Sequence, residues 1–85
     1  MYKLSYSKSS LKSLKRIPDG KRRLIMEKLE ILKENPYKGN NNVKKLTGLD
    51  GYRLRVGDYR VIYRIEDKLL MIFVVEIDVR GSIYK

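Results

Sequence analysis

The sequence predicts an α+β domain of order β-α-α-β-β-β, a helical hairpin packed on an antiparallel sheet. Three observations carry this. Apolar residues recur at helical spacing between residues 8 and 34; they alternate with polar residues from Tyr52 to Ile65; and turn-forming residues separate the segments. A chain of 85 residues is one domain, 1–85. A domain so small buries only about 60–65 % of its unfolded surface, so its core must be single and compact.

Tyr2 to Tyr6 alternates apolar and polar side chains and suits a short strand with one buried face. Ser7, Ser9 or Ser10 then supplies a helix cap. Leu11, Leu14 and Ile17 form an apolar stripe, with Lys8, Lys12, Lys15 and Arg16 around it. That basic surface reads either as a solvated face or as a cradle for a phosphate backbone. Pro18-Asp19-Gly20 stops the helix and turns the chain. A second helix is expected over roughly residues 21–34, with Leu24, Ile25, Leu29 and Leu32 as its stripe and Met26 and Ile31 at its flanks. Asn35-Pro36 ends it, and residues 37–51 read as a long loop, the kind that carries function or mobility.

The last third is strand-like. Tyr52 to Val56 alternates strictly, Gly57-Asp58 supplies a two-residue turn, and Tyr59 to Ile65 runs back. After a second turn at Glu66-Asp67-Lys68, Leu69 to Ile77 is apolar on both faces, which predicts an inner strand covered on both sides. A tail from Asp78 to Lys85 follows.

Composition narrows the chemistry. With neither Cys nor His, disulfides, thiolate metal sites and imidazole acid–base catalysis are excluded; no metal and no cofactor are expected. Twenty Lys and Arg against ten Asp and Glu give a net charge of +10. That bias points to a polyanionic partner: nucleic acid first, then an anionic membrane or an acidic protein. The N-terminus lacks the apolar region of a signal peptide, and the longest apolar run, Leu69 to Val75, falls short of the ~20 residues that span a bilayer. A soluble, cytoplasmic protein is expected.

Alternation also sorts the hairpin's side chains. Tyr52, Leu54 and Val56 should face the helices, which sends Arg53 and Arg55 to the opposite face. With Val61 and Ile65 inward, Arg60 and Arg64 join them, and Arg80 lies within reach of the same surface. A wet sheet face would also carry polar residues. Yet Arg outnumbers Lys on these strands while Lys dominates the helices, and the planar guanidinium grips phosphate at two points. Tyr63 reads as a packing residue with a wet hydroxyl; Tyr84, in the tail, is placed to stack on a base. Glu76 and Asp78 read as partners of neighbouring Arg or as a base.

The string Lys45-Leu46, then Gly51-Tyr52-Arg53-Leu54-Arg55-Val56-Gly57-Asp58-Tyr59-Arg60-Val61-Ile62-Tyr63, resembles the signature of RelE toxins, the ribosome-dependent mRNA interferases of the RelE/ParE superfamily. The ending Val75 to Tyr84, with an Arg followed by a Tyr, resembles theirs. The likeness spans nearly the whole chain and implies the RelE-like, microbial-RNase-like form of the α+β fold. It implies a metal-independent endoribonuclease that cuts A-site mRNA by attack of a ribose 2′-OH on the adjacent phosphate and so inhibits translation.

By position, Arg60 matches the family's phosphate-stabilising Arg, Arg80 its general acid or charge stabiliser, and Tyr84 the Tyr that stacks on the cut nucleotide. Arg53 and Arg55 fall where relatives carry basic residues; Arg64, Lys44 and Lys45 are expected to hold RNA. Some relatives have Lys at the position of Arg55, assigned there as base, but an Arg stays protonated. The base here is Lys44, Lys45, Asp78, or no specific group. Several relatives place His where this chain has Val79, so catalysis would rest on positioning and charge. The implied partners are an acidic RelB-like antitoxin and the ribosome with mRNA in its A site. Two other readings are a ParE-like gyrase inhibitor that cuts nothing, and a catalytically weak basic module that binds ribosome or antitoxin.

Overall fold

The computed structural model describes residues 1–37, 43–48 and 50–79. Its elements are β1 (Lys3–Tyr6), α1 (Lys8–Arg16), α2 (Asp19–Leu32), β2 (Val43–Lys45), β3 (Tyr52–Val56), β4 (Tyr59–Glu66) and β5 (Met71–Val79), with a 3₁₀ turn at Asp67–Leu69. The strands form one sheet in the order β1-β5-β4-β3-β2. The two helices lie on one face of it, and the core sits between, built from Leu14 and Ile17, from Ile25, Leu29 and Leu32, and from sheet residues including Leu54, Val61, Tyr63, Ile72, Val74 and Ile77.

The α+β class and the helical hairpin stand as expected, and the sheet is mixed where an antiparallel one was expected. β2 to β5 form an antiparallel meander, and β1 lies parallel to β5 at its edge. The chain leaves β1, crosses the sheet through both helices and enters at the far edge, so four meander strands later β5 runs with β1. The element missing from the expected order is β2. It lies inside the segment read as a loop and pairs with β3 through only three residues, Val43, Lys44 and Lys45. A single apolar residue among three gives alternation nothing to register.

Each helix shows why its residues make it. Ser7 caps α1: its Oγ accepts the Ser10 backbone N–H at 3.0 Å and donates to the Val75 carbonyl at 2.7 Å, so one hydroxyl starts the helix and fastens it to the sheet. Ser10, Leu14 and Ile17 are buried at i, i+4 and i+7, while Leu11 is exposed. α2 starts two residues before the expected point. Pro18 precedes the first turn with its φ already set, the Arg22 N–H reaches the Pro18 carbonyl at 2.8 Å, and Asp19 complements the helix dipole. Arg22 pairs with Asp19 and donates to the Leu14 carbonyl at 3.2 Å, which locks the two helices at their junction. The buried stripe of α2 is Ile25, Leu29 and Leu32; Leu24, expected within it, is 40 % exposed.

β5 corrects a second expectation. It is an inner strand, but only one of its faces is covered: Ile72, Val74 and Ile77 are buried, while Phe73 and Val75 are exposed. Tyr63 pairs with Val74 and Ile62 with Glu76, which leaves Val75 as the extra residue of a bulge. The bulge puts Val74 and Ile77 on the same face at a spacing of three, so the strand reads as two-sided when it is not.

Tyrosine contacts hold the end of the sheet remote from the β3–β4 turn. Tyr63 is fully buried, and its hydroxyl is dry, donating to the Pro36 carbonyl at 2.6 Å. Tyr52 stacks on Tyr63 with ring centroids 5.8 Å apart, and Tyr37 meets Tyr52 edge-on. Burial raises the Tyr63 phenol above its usual range. Asp67 accepts hydrogen bonds from Tyr2, at 2.5 Å, and from Tyr37, so its carboxyl is held below the usual carboxylate range and the Tyr37 phenol is pushed up.

Two outcomes are expected. Leu29→Ala should lower unfolding free energy by about 2–5 kcal/mol, and Leu24→Ala by under about 1 kcal/mol, in urea titrations. Because the folded Asp67 carboxyl titrates below its unfolded value, its contribution is full above about pH 4 and is lost as pH falls through the folded value. Asp67→Asn should therefore lose less stability than the parent between about pH 7 and about pH 3, measured by urea midpoints; parallel losses would discard this role.

Candidate functional site

The helix-free face of the sheet follows from what the other face must bury. On β3, Leu54 and Val56 are buried and Tyr52 packs on the core, so Arg53 and Arg55 project away. On β4, Val61 and Tyr63 are buried and Tyr59 and Ile65 pack inward, which sends Arg60, Ile62 and Arg64 outward. The Gly57-Asp58 turn fixes the register between them. Gly57 has φ +58°, which a type II′ turn asks of its first residue, and Val56 then pairs with Tyr59. Gly51 sets the entry to β3: a Cβ there would lie 3.0 Å from the Tyr63 carbonyl oxygen.

The register brings cations side by side. Arg55 lies directly opposite Arg60, and Lys44 directly opposite Arg53. Directly opposed residues have Cβ atoms about 4.5–5.5 Å apart, and like charges so placed destabilise a sheet. Arg53 and Arg55 are a further ~7 Å apart along β3. Five of the expected residues, Lys44, Arg53, Arg55, Arg60 and Arg64, therefore share one face. Arg60 is half-buried, with its Nε and Nη1 shielded from solvent. Arg64 reaches Asp50 at 3.3 Å in an exposed ion pair, which is worth little.

Not every expected residue joins them. Lys45 pairs with Tyr52 and so lies on the helix side of β2, one pleat away from Lys44. The period of the strand thus separates it from the face shared by the other five. Arg80 and Tyr84 lie outside the described residues. Of the two acids, Asp78 stands opposite Arg60 across β4–β5, with its Oδ1 accepting the Val79 N–H at 2.7 Å. Glu76 stands opposite Ile62 and accepts from the Ser9 hydroxyl at 3.0 Å. Both also line a groove of about 470 Å³ against α1, whose other wall is Lys8, Lys12 and Arg16 at four-residue spacing. Among the described residues, no group of three or more acidic side chains is arranged to hold a metal, and no helix is long and apolar enough to cross a membrane.

The family model described as the ParE toxin of the type II toxin–antitoxin system, parDE, matches residues 4–84. The chain belongs to this RelE/ParE toxin superfamily. It is similar to a protein of Methanocaldococcus jannaschii named RelE1, 35 % identical over 75 residues that cover 84 % of this chain and 83 % of the relative. Its fold matches that of the toxin chain in the archaeal RelE–RelB complex from Pyrococcus horikoshii, with TM-score 0.83, 34 % identity and coverage of 95 % and 97 % of the two chains. It also matches a chain of the intact Escherichia coli RelBE toxin–antitoxin complex, with TM-score 0.80, 27 % identity and coverage of 96 % and 99 %. In this RelE/ParE chain the cations of β2, β3 and β4 thus gather on the sheet face that the family's helical hairpin leaves open.

The faces of β2 make a sharp forecast. For binding of single-stranded RNA by the RelE/ParE chain, Lys44→Ala should reduce the slope of log affinity against log salt by about 0.7, and Lys45→Ala should leave it unchanged. Equal changes for both lysines, in filter-binding or fluorescence titrations, would contradict the face assignment.

Proposed function

We propose that this chain is a metal-independent endoribonuclease that cuts mRNA in the ribosomal A site and inhibits translation, and that an acidic antitoxin holds it in check in the cytoplasm. The observation that carries the reading is the pair of like-charge contacts, Arg55 against Arg60 and Lys44 against Arg53, in adjacent rows of one sheet face. Guanidinium groups gathered in this way suit phosphate, which they grip at two points.

The chemistry is transesterification. A ribose 2′-oxygen forms a bond to the adjacent phosphorus, the bond to the 5′-oxygen breaks, and a 2′,3′-cyclic phosphate is left. The 2′-OH proton must leave, and the departing 5′-oxygen must gain one. Arg60, with Arg55 beside it, stabilises charge on the crowded phosphorane. Arg80 supplies charge or a proton at the leaving oxygen, and Tyr84 stacks on the cut nucleotide, as the family resemblance implies. Arg53, Arg64 and Lys44 hold the flanking strand. Arg55 stays protonated and does not serve as base. Of the remaining candidates Asp78 and Lys44 share the face of Arg60 and Lys45 does not. With no imidazole in the chain, orientation by the ribosome carries much of the rate.

The antitoxin partner is supported by the net charge of +10 and by the solved relatives, which were captured as RelE–RelB complexes. The name of the matching family model favours a second reading, a gyrase inhibitor that cuts nothing.

Expression in cells followed by primer extension on a translated message separates the two. Breaks inside codons of translated regions are the expected result; intact mRNA with blocked supercoiling would give the function to gyrase. Arg60→Ala and Arg80→Ala should each lower cleavage by about 10²-fold or more, and should relieve toxicity more than Lys12→Ala does. Equal toxicity of all three variants, or efficient cleavage of naked RNA at near-physiological salt, would count against the site.

A further inference from the structure

We propose that Phe73 is a base-stacking platform, and that with Arg64 it takes a nucleobase of the bound RNA away from the cut phosphate. This rests on the reading of the helix-free face as the RNA site. Phe73 is the only Phe of the chain and is 37 % exposed. A lone exposed apolar residue needs no explanation, but this one does not stand alone. Arg64 lies directly opposite it on β4, and the small Ser5 directly opposite on β1. Met71 precedes it by two on the same face, and Ile62 faces the same way one outward position along β4 from Arg64. The ring is thus bordered by a guanidinium on one side and a small hydroxyl on the other, with apolar side chains at its ends.

That arrangement suits a flat, apolar, hydrogen-bonding group joined to an anion. Single-stranded RNA is recognised on sheet faces in this way, by exposed aromatics that stack bases while neighbouring cations hold the backbone. Protein partners also dock on apolar patches, but the balance of charge favours RNA: Arg53, Arg64 and Lys3 lie around the patch, against Glu66 opposite Met71 and Glu76 opposite Ile62. Arg60 and Arg64 are four residues apart on one strand, roughly 13 Å. A stacked nucleotide advances about 3.4 Å along its strand. The base on Phe73 is therefore more than one nucleotide from the phosphate at Arg60, and the ring reads a neighbour of the cut site.

The probe is a short hexamer of mixed sequence with 2′-O-methyl riboses, which cannot be cut by 2′-OH attack. An abasic hexamer of equal charge is the control. In Phe73→Trp, the hexamer should quench indole fluorescence and the abasic strand should not. Phe73→Ala and Phe73→Leu should each weaken hexamer binding roughly ten-fold and leave the abasic strand's affinity unchanged. Phe73→Leu keeps the apolar volume, so a fold defect is separated from the loss of the ring. Equal quenching by both strands, or unchanged hexamer affinity in both variants, would overturn the proposal. So would quenching by an acidic amphipathic peptide and not by the hexamer. Quenching that persists while the parent protein cuts no message supports the platform and removes the nuclease reading, so the two fail separately.

Discussion

The constraint on which everything else rests is that a five-stranded sheet this small can bury only one of its faces. The helical hairpin covers that face with Leu14, Ile17, Ile25, Leu29 and Leu32, and the sheet answers with Leu54, Val56, Val61, Tyr63, Ile72, Val74 and Ile77. Because side chains alternate at period two, each inward residue commits its neighbour outward. The outward set on β2, β3 and β4 is basic apart from Ile62 and Glu66, so the packing that stabilises the fold also gathers the cations. Slipping the β3–β4 register by one would bury Arg53 and Arg55 and expose Leu54 and Val56, and so the core enforces the geometry of the site.

Opposing charge against charge has a cost in stability. Arg55–Arg60 and Lys44–Arg53 repel across their strand pairs. The end of the sheet remote from the β3–β4 turn is well tied: the Tyr63 hydroxyl on Pro36, the Tyr37, Tyr52 and Tyr63 ring contacts, and Asp67 under Tyr2 and Tyr37. Cohesion is concentrated at the Tyr52–Tyr63 end of β3 and β4; Arg55–Arg60 lies at the other, next to the Gly57-Asp58 turn, while Lys44–Arg53 sits one position from Tyr52.

How much of this is legible in the sequence depends on whether a residue's neighbours in the chain determine its surroundings. The hairpin from Tyr52 to Ile65 is legible because its alternation is strict and its turn is short, and the face shared by Arg53, Arg55, Arg60 and Arg64 follows directly. β2 is not legible, because three residues with one apolar member carry no period, and so the split between Lys44 and Lys45 appears only in the pairing with β3. The Val75 bulge hides in a run of apolar residues, and with it the exposure of Phe73. The parallel position of β1 is a matter of topology that five residues of alternation cannot encode. Arg80 and Tyr84 lie outside the described residues.

The exposed side of β5 also bears on how such a face discriminates its ligand. Cations by themselves bind any polyanion, with strength set by charge and salt and little regard for bases. An acidic polypeptide and an RNA strand would then compete on equal terms for Lys44, Arg53, Arg55, Arg60 and Arg64. An aromatic ring set among them breaks that symmetry, because stacking rewards a planar base and offers less to a flexible carboxylate side chain. The bulge at Val75 follows Phe73 by two residues and shifts the outward set of β5 from Phe73 to Glu76 and Asp78. One strand therefore presents an apolar platform at one end and two carboxylates at the other, beside the Arg55–Arg60 pair. The cationic face is thus bordered along β5 by an apolar stretch at one end and an acidic one at the other, and a ligand that satisfies all three regions must be anionic along its backbone, planar in its side groups, and tolerant of carboxylates near Arg60.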